Sequence, residues 1–204
     1  MATTGNSKPA PELSGDKATR IVDAMRKSIG TRGPVGSTFD NVARDAGVSR
    51  GLLHYYFGSK ERLMIEVVRQ ESELRIAEIE AAFEAVESAT DVIDVLLRQL
   101  SDVLEDEPSV YTLGFELMGE ARRNPEIGAE VAEFHQRTRG RVADMLRRKQ
   151  EQGVISLTVD PLGAASLVLA LGNGLAMEIL SDPKGDHSAT LAAASEAGRM
   201  MLGG

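Results

Sequence analysis

The sequence predicts an all-α protein of about nine helices. Apolar residues recur at helical spacing along nearly the whole chain, and Gly, Pro and capping residues separate the segments. Only residues 154–159 resemble a strand, and this segment is too short and isolated to build a sheet. With 204 residues, 42% of them hydrophobic, the chain is long enough to bury a core.

The first three predicted helices are short and closely spaced. Thr38 is a favourable N-cap for the second helix, and Gly47 lies where that helix needs a left-handed residue to end. Ser49 is placed to cap the third helix in the same way. These three helices are expected over about 16–30, 38–46 and 49–57.

The six helices that follow are mostly longer. Thr90 is expected to cap the fifth helix, while Asn124 and Asp160 each precede a proline, which suits the first position of a helix. The six are expected over about 60–87, 90–103, 111–122, 125–152, 161–181 and 188–202.

The segment 38–63, TFDNVARDAGVSRGLLHYYFGSKERL, has the pattern of a helix-turn-helix. The small side chain of Ala43 lets the two helices approach, and Gly47 allows the sharp reversal between them. Apolar residues of the second helix pack it against the first. Its outward residues are hydrogen-bond donors and flat rings of a size that fits the DNA major groove: Ser49, Arg50, Gly51, His54 and Tyr55.

Charge and composition narrow the function further. The net charge is −8, yet residues 1–60 carry nine Lys and Arg against five Asp and Glu, a net +4 that leaves −12 on the remainder. A basic N-terminal segment followed by an acidic remainder suits a protein that contacts phosphates through its N-terminal segment alone. The absence of cysteine removes disulfides, thiol catalysis and thiolate metal sites. Without a signal peptide or a long apolar run, we expect a cytoplasmic protein that binds no membrane.

The helix-turn-helix segment strongly resembles the DNA-binding domain of TetR-type transcriptional regulators. The matching residues are Thr38, Val42, Ala43, Ala46, Gly47, Val48, Ser49, Gly51, Leu53, Tyr56, Phe57, Ser59, Lys60, Glu61 and Leu63. The resemblance implies phosphate contacts for Thr38, Ser49 and Lys60, and base recognition for Arg50. Gly51 then allows close approach to DNA, and His54 and Tyr55 contact phosphates or bases. His54 stands where the family usually has Tyr, so the family's operator preference does not carry over.

The resemblance also implies the organisation of the chain: a disordered arm over 1–15, a DNA-binding domain over 16–60, and a ligand-binding and dimerisation domain over 61–204. A homodimer is expected because one small domain makes too few DNA contacts for selective binding. The expected interface residues are Leu162, Ala165, Leu169, Ala176, Leu180, Leu191, Ala194 and Met201.

By the same resemblance, the middle helices enclose a small-molecule effector whose binding releases the operator DNA. The expected ligand-binding residues are Phe83, Leu96, Gln99, Leu100, Tyr111, Phe115, Met118, Arg122, Phe134, Asn173 and Met177. Ordinary core packing is the competing explanation for each of the apolar ones.

Two other functions stay open at this point. One is a helical small-molecule-binding protein with an impaired DNA-binding helix, for which His54 is the only indication. The other is an enzyme with a helical body. Against it, the chain has no metal-ligand spacing, no phosphate-binding glycine loop and no nucleophile elbow. We therefore expect no catalytic residue, no metal and no cofactor.

Overall fold

The computed structural model describes residues 15–203, with side chains from residue 17 onward, and this part of the chain contains nine helices and no strand. The expected all-α class is confirmed. The expected arm over 1–15 lies outside the described residues, apart from Gly15, where the first helix begins. The helices are α1 (Gly15–Gly36), α2 (Phe39–Ala46), α3 (Arg50–Phe57), α4 (Lys60–Glu84), α5 (Ala89–Asp106), α6 (Ser109–Ala121), α7 (Pro125–Glu151), α8 (Pro161–Ser181) and α9 (Ser188–Leu202).

The chain divides into two compact units. Unit 1 ends at Val67 and unit 2 begins at Val68. The division lies within α4, which begins at Lys60, so this helix continues from one unit into the other.

Local capping contacts set the ends of α2 and α3. The hydroxyl oxygen of Thr38 accepts from the backbone N–H of Asn41 at 3.3 Å, and that of Ser49 accepts from Leu52 at 3.2 Å. Between the two helices, Gly47 has φ 67° and ψ 36°, a left-handed conformation that glycine adopts without the steric penalty of a Cβ. All three positions follow from the sequence because these contacts are local.

Two helix boundaries differ from expectation. α1 was expected to end at about residue 30, but its helical backbone continues to Arg32, before a break at Gly33, which has φ 70° and precedes Pro34. The N-cap of α5 is Ser88, so the expectation of Thr90 was wrong. The Ser88 hydroxyl oxygen accepts from the backbone N–H of Asp91 at 3.2 Å, and its O–H donates to the Asp91 carboxylate at 2.9 Å. Ser88 therefore begins the helix one half-turn earlier and leaves Thr90 inside the first turn.

The interior of unit 2 contains two apolar clusters. The first cluster is formed mainly by α4, α5, α7 and α8, with Val92, Leu146 and Ala164 fully buried. The second cluster is smaller and lies around Leu100, Leu175 and Ala176. Both recruit partly buried residues of α9, so this helix packs along the same interior.

Close packing of α9 on α5 depends on a glycine. A Cβ placed on Gly198 would lie 2.3 Å from Cδ1 of the buried Ile93, so only glycine fits there without movement of that side chain. The segment after α7, which has strand-like composition, instead runs along the end of α9. There the Ser156 N–H donates to the Leu202 carbonyl at 2.9 Å.

Candidate nucleic-acid interface

The second helix of the helix-turn-helix, α3, buries one face and exposes the opposite one. Leu53 is fully buried and anchors α3 in unit 1. Arg50, Gly51, His54 and Tyr55 lie on the other side and are exposed, Tyr55 by 59%. We call these four residues the recognition face. Their spacing of one, four and five positions places them on a single helix stripe, wide enough to face the edges of a few base pairs.

The Arg50 side chain is held by neighbours from two helices. Its guanidinium donates to both carboxylate oxygens of Asp40, at 3.1 and 3.2 Å, and its Nε–H donates to Nε2 of His54 at 3.4 Å. Asp40 lies in the first turn of α2, so these contacts tie α2 to α3. Arg50 and Asp40 are 58% and 67% exposed, so water and salt weaken their attraction and the guanidinium is available to another partner.

His54 has a defined role in this arrangement. Its Nδ1 lies 3.3 Å from the Gly58 carbonyl oxygen, which can only accept, so Nδ1 carries the proton. Nε2 is then the acceptor that receives the Arg50 Nε–H. The ring also packs edge-on against Phe39, with ring centroids 4.8 Å apart. With the proton on Nδ1, His54 satisfies both contacts and orients Arg50 along the exposed side of α3.

The three residues expected to contact phosphates already form different hydrogen bonds within the protein. The oxygens of Thr38 and Ser49 accept capping bonds, while their O–H groups keep a donor for another partner. The ammonium group of Lys60 donates to the Pro34 carbonyl at 3.2 Å, which leaves two of its three hydrogens. Tyr56 and Phe57, which match the family pattern, are half-buried.

The contacts of Arg50 with Asp40 and His54 were not predicted from the sequence. The spacing of four between Arg50 and His54 was the available signal, since residues so placed meet on one helix face. The pairing with Asp40 depends on how α2 and α3 cross, and no pattern in the sequence gives that angle.

Comparison with known proteins identifies the family. Residues 21–67 match the model of bacterial regulatory proteins of the tetR family, and residues 89–201, more than half of the chain, match the C-terminal model of BetI-type transcriptional repressors. The chain belongs to the TetR family. As a TetR-family protein it is a DNA-binding transcriptional regulator, which confirms the resemblance found in the helix-turn-helix segment.

Relatives and solved structures extend this likeness over the whole chain. The regulator UidR of Escherichia coli strain K12 is 25% identical over 91% of both chains. The structure of Salmonella enterica GusR has a TM-score of 0.73 at 21% identity and covers 95% of this chain and 99% of its own. FadR from Bacillus subtilis, in complex with stearoyl-CoA, has a TM-score of 0.70 at 19% identity, covering 91% of this chain and 98% of its own.

In this TetR-family protein, the expected ligand-binding residues occupy different environments. Phe83 and Leu100 are buried in the first and second clusters. Met118, Arg122 and Met177 are exposed. The others are half-buried: Leu96, Gln99, Tyr111, Phe115, Phe134 and Asn173. Burial raises the pKa of the Tyr111 hydroxyl, which keeps it protonated and able to donate at neutral pH.

The expected dimer residues lie mostly toward the interior of their own subunit. Ala165 and Ala176 are fully buried and have no surface to offer a partner. Leu162 is 42% exposed. The remaining five are half-buried: Leu169, Leu180, Leu191, Ala194 and Met201. Of these, Leu169 and Met201 pack against the first cluster, and Leu191 and Ala194 pack against the second.

The opposite side of α8 is apolar and exposed. Leu167, Leu171 and Met177 are 50%, 39% and 58% exposed, and at 3.6 residues per turn they lie within a sector of about 120° around the helix. We call these three residues the α8 apolar face. Among the described helices, α8 alone is long and apolar enough to cross a membrane, judged by length and composition only. Of its most apolar 18-residue stretch, 22% is buried. An exposed apolar stripe on a helix that is otherwise packed into a core is typical of an interaction surface.

Proposed function

We propose that this protein is a homodimeric, cytoplasmic repressor that binds operator DNA through α3 and leaves it when a small molecule binds in unit 2. The observation that carries the DNA-binding part is the recognition face, with Arg50 and Tyr55 exposed on the side of α3 opposite the buried Leu53. A guanidinium on such a stripe can donate two bonds to a guanine edge in the major groove.

The proposed DNA contacts divide by role. Arg50 recognises a base, and Gly51 brings the backbone close to the groove. Thr38, Ser49 and Lys60 position the domain through phosphates, which carry no sequence information. His54, which stands where the family usually has Tyr, accepts the Arg50 Nε–H and so takes part in operator choice by orienting Arg50.

The dimer part of the proposal places the α8 apolar face of each subunit against that of its partner. Small residues along the same helix, among them Gly163, Ala170 and Gly174, are exposed or half-buried and permit two helices to approach closely. A two-fold axis brings the same patch of both subunits together, so an apolar stripe is self-complementary. This arrangement also covers the apolar surface of α8 without a membrane.

The release part depends on α4. Because α4 continues from unit 2 into unit 1, a ligand that moves its unit 2 portion also moves the DNA-binding helices attached to its start. In a dimer, the two copies of α3 must match half-sites about 34–36 Å apart, so such a movement lowers affinity. The ligand acts only through unequal affinity for the two arrangements, with a coupling of about 1–3 kcal/mol. The protein has no catalytic role in this proposal.

The DNA-binding proposal is tested by selecting DNA from a random pool with the purified full-length protein and measuring binding by fluorescence anisotropy. We expect a site with two related halves, bound much more tightly than a scrambled duplex of equal length. Selection that recovers no preferred sequence would support instead a helical small-molecule-binding protein with an impaired recognition helix.

The dimer proposal is tested by Leu171→Glu, which places a charge on the α8 apolar face. We expect the variant to sediment as a monomer while the wild type sediments as a dimer. Leu74→Glu is the matched control, because Leu74 is a 60% exposed leucine on α4, outside that face. If Leu171→Glu still sediments as a dimer, as the wild type and Leu74→Glu do, the interface lies elsewhere.

A further inference from the structure

The two apolar clusters of unit 2 are separated by polar residues. Leu97 of α5 packs against both clusters, so they are neighbours in the interior. On α8, Asn173 lies between Leu169, which packs on the first cluster, and Leu175, which belongs to the second. Along α8, a polar side chain thus lies at the boundary between the first and the second cluster.

Two more helices contribute polar residues near this boundary. Gln99 of α5 follows Leu96, a first-cluster residue, by three positions, and Arg139 of α7 precedes the first-cluster residue Val142 by three positions. Both therefore lie within one turn of the edge of the first cluster. Gln99, Arg139 and Asn173 are half-buried, and we call them the polar layer.

The polar layer contains two buried atoms whose hydrogen-bonding capacity is unused. Oε1 of Gln99 and Nε of Arg139 are buried and have no hydrogen-bond partner among the described residues. Such atoms cost free energy in a folded protein, and native interiors retain few of them. The two are of opposite kind, because the amide oxygen only accepts and the guanidinium N–H only donates.

Arg139 also differs from its neighbours on α7. Arg137 is paired with Glu133, and Arg141 with Glu80 at 2.9 Å, whereas Arg139 forms no ion pair within the described part of the chain. His135, one turn away, is half-buried, and burial lowers its pKa, so this ring is neutral at neutral pH and adds no second positive charge next to Arg139. A half-buried guanidinium without a carboxylate has an uncompensated charge, which a bound anion would balance.

We propose that the effector is a small hydroxylated carboxylate, held by its carboxylate at Arg139 and by a hydroxyl at Gln99. The carboxylate accepts from the guanidinium, the hydroxyl donates to Oε1 of Gln99, and the Asn173 amide is able to bond either group. One guanidinium balances the single charge of a carboxylate but not the double charge of a phosphate. This inference rests on the proposed ligand-binding function of unit 2.

The test compares compounds that carry both groups with compounds that carry one. D-gluconate and 3-hydroxybutyrate have a carboxylate and a hydroxyl; D-glucitol and 2-butanol lack the carboxylate, and hexanoate and butyrate lack the hydroxyl. Thermal shift and calorimetric titration of the full-length protein measure binding. We expect one of the hydroxy acids to raise the melting temperature and to bind at least tenfold more tightly than its two partial counterparts.

Variants locate the site. Arg139→Gln should weaken binding of that hydroxy acid about tenfold or more, since bonds to charged groups are the stronger class. Arg137→Gln, an exposed arginine on the same helix, is the control and should change nothing. Gln99→Leu should also weaken binding but raise the melting temperature of the ligand-free protein, because it removes an unpartnered buried acceptor. This second variant keeps the test valid if Arg139→Gln fails to fold.

The outcomes separate this inference from the proposed function. No response to either hydroxy acid, equal responses to the partial counterparts, or a response to the cation choline instead would overturn the hydroxy-carboxylate assignment, even if operator binding is intact. Binding of a hydroxy acid that depends on Arg139 but leaves DNA affinity unchanged would support the assignment and contradict the release mechanism.

Discussion

The contacts of Arg50 predict that two substitutions change operator affinity in opposite directions. In the free protein its guanidinium is bonded to the Asp40 carboxylate, and in the proposed complex it is bonded to a base. Arg50→Ala removes the base contact and should weaken operator binding. Asp40→Asn removes the competing charge and should strengthen it, since Arg50 no longer has to leave an ion pair and one negative charge near the phosphates is lost.

The magnitudes follow from exposure. The ion pair is more than half exposed on both sides, which limits its contribution to about 0.2–1 kcal/mol. A bidentate arginine–guanine contact contributes about 1–3 kcal/mol, so the net gain from Arg50 is about 1–2 kcal/mol per half-site. Over the two half-sites of a dimer, Arg50→Ala should cost about 2–4 kcal/mol, or about 30- to 1,000-fold in Kd. Asp40→Asn should tighten binding by about 2- to 30-fold.

Fluorescence anisotropy on the selected site, at fixed salt, measures both effects. Arg123→Ala is the control, because Arg123 is a 72% exposed arginine of unit 2 paired with Glu120. Urea denaturation of each variant reports stability separately. If Arg50→Ala and Asp40→Asn both destabilise the protein and leave the Kd of the folded fraction unchanged, Arg50 only ties α2 to α3 and the base-recognition role is wrong.

Three further predictions concern salt, pH and the turn. Lys60→Ala should reduce the slope of log Kd against log salt concentration by about 0.9 per phosphate contact, about 1.8 for the dimer, and an unchanged slope would exclude Lys60 as a phosphate contact. Burial lowers the pKa of His135, so the unfolded state binds a proton more readily and the free energy of unfolding should fall as pH drops below about 6.5. His135→Gln should reduce that fall in urea denaturation, and an identical fall in both proteins would contradict it. Gly47→Ala should cost about 1–2 kcal/mol in the same assay through backbone strain alone, since no atom lies within 4 Å of the added Cβ. Gly51→Ala, at a helical position, should not destabilise, and equal losses would refute the strain argument.

Local chemistry made most helix boundaries predictable. Thr38 and Ser49 cap the helices that they were expected to cap, and Asn124 caps the helix expected to begin at Pro125, because a capping bond reaches only two or three residues along the chain. The error at the start of α5 is also local, because the N-cap was predicted only two positions from its true place. Ser88 and Thr90 are both capping residues two positions apart, and the bonds of Ser88 with Asp91 decide between them.

The faces of α8 could not be assigned from the sequence. Small and aliphatic residues occur around most of the helix, so the spacing alone does not distinguish the side that packs inward from the side that faces out. Ala165 and Ala176 are buried because α5 and α7 pack on that side, whereas Leu167 and Leu171 are left exposed. The direction depends on neighbouring helices, and the sequence of α8 does not contain it.

Two of the three polar-layer residues were predicted. Gln99 and Asn173 were expected ligand contacts because they are polar residues on helices with an apolar face. Arg139 was missed, since arginines at 137, 139 and 141 look alike in the sequence. Only the contacts in three dimensions show that the outer two have carboxylate partners and the middle one does not.

Guanine N7-methylation interference on the selected DNA tests most directly whether α3 binds in the major groove as part of a dimer. N7 lies on the major-groove edge, where the proposed Arg50 contact forms. We expect methylation to block binding at guanines in two half-sites about one helical turn apart, and Arg50→Ala to abolish this interference. Interference at a single half-site, or binding indifferent to N7 methylation, would contradict it.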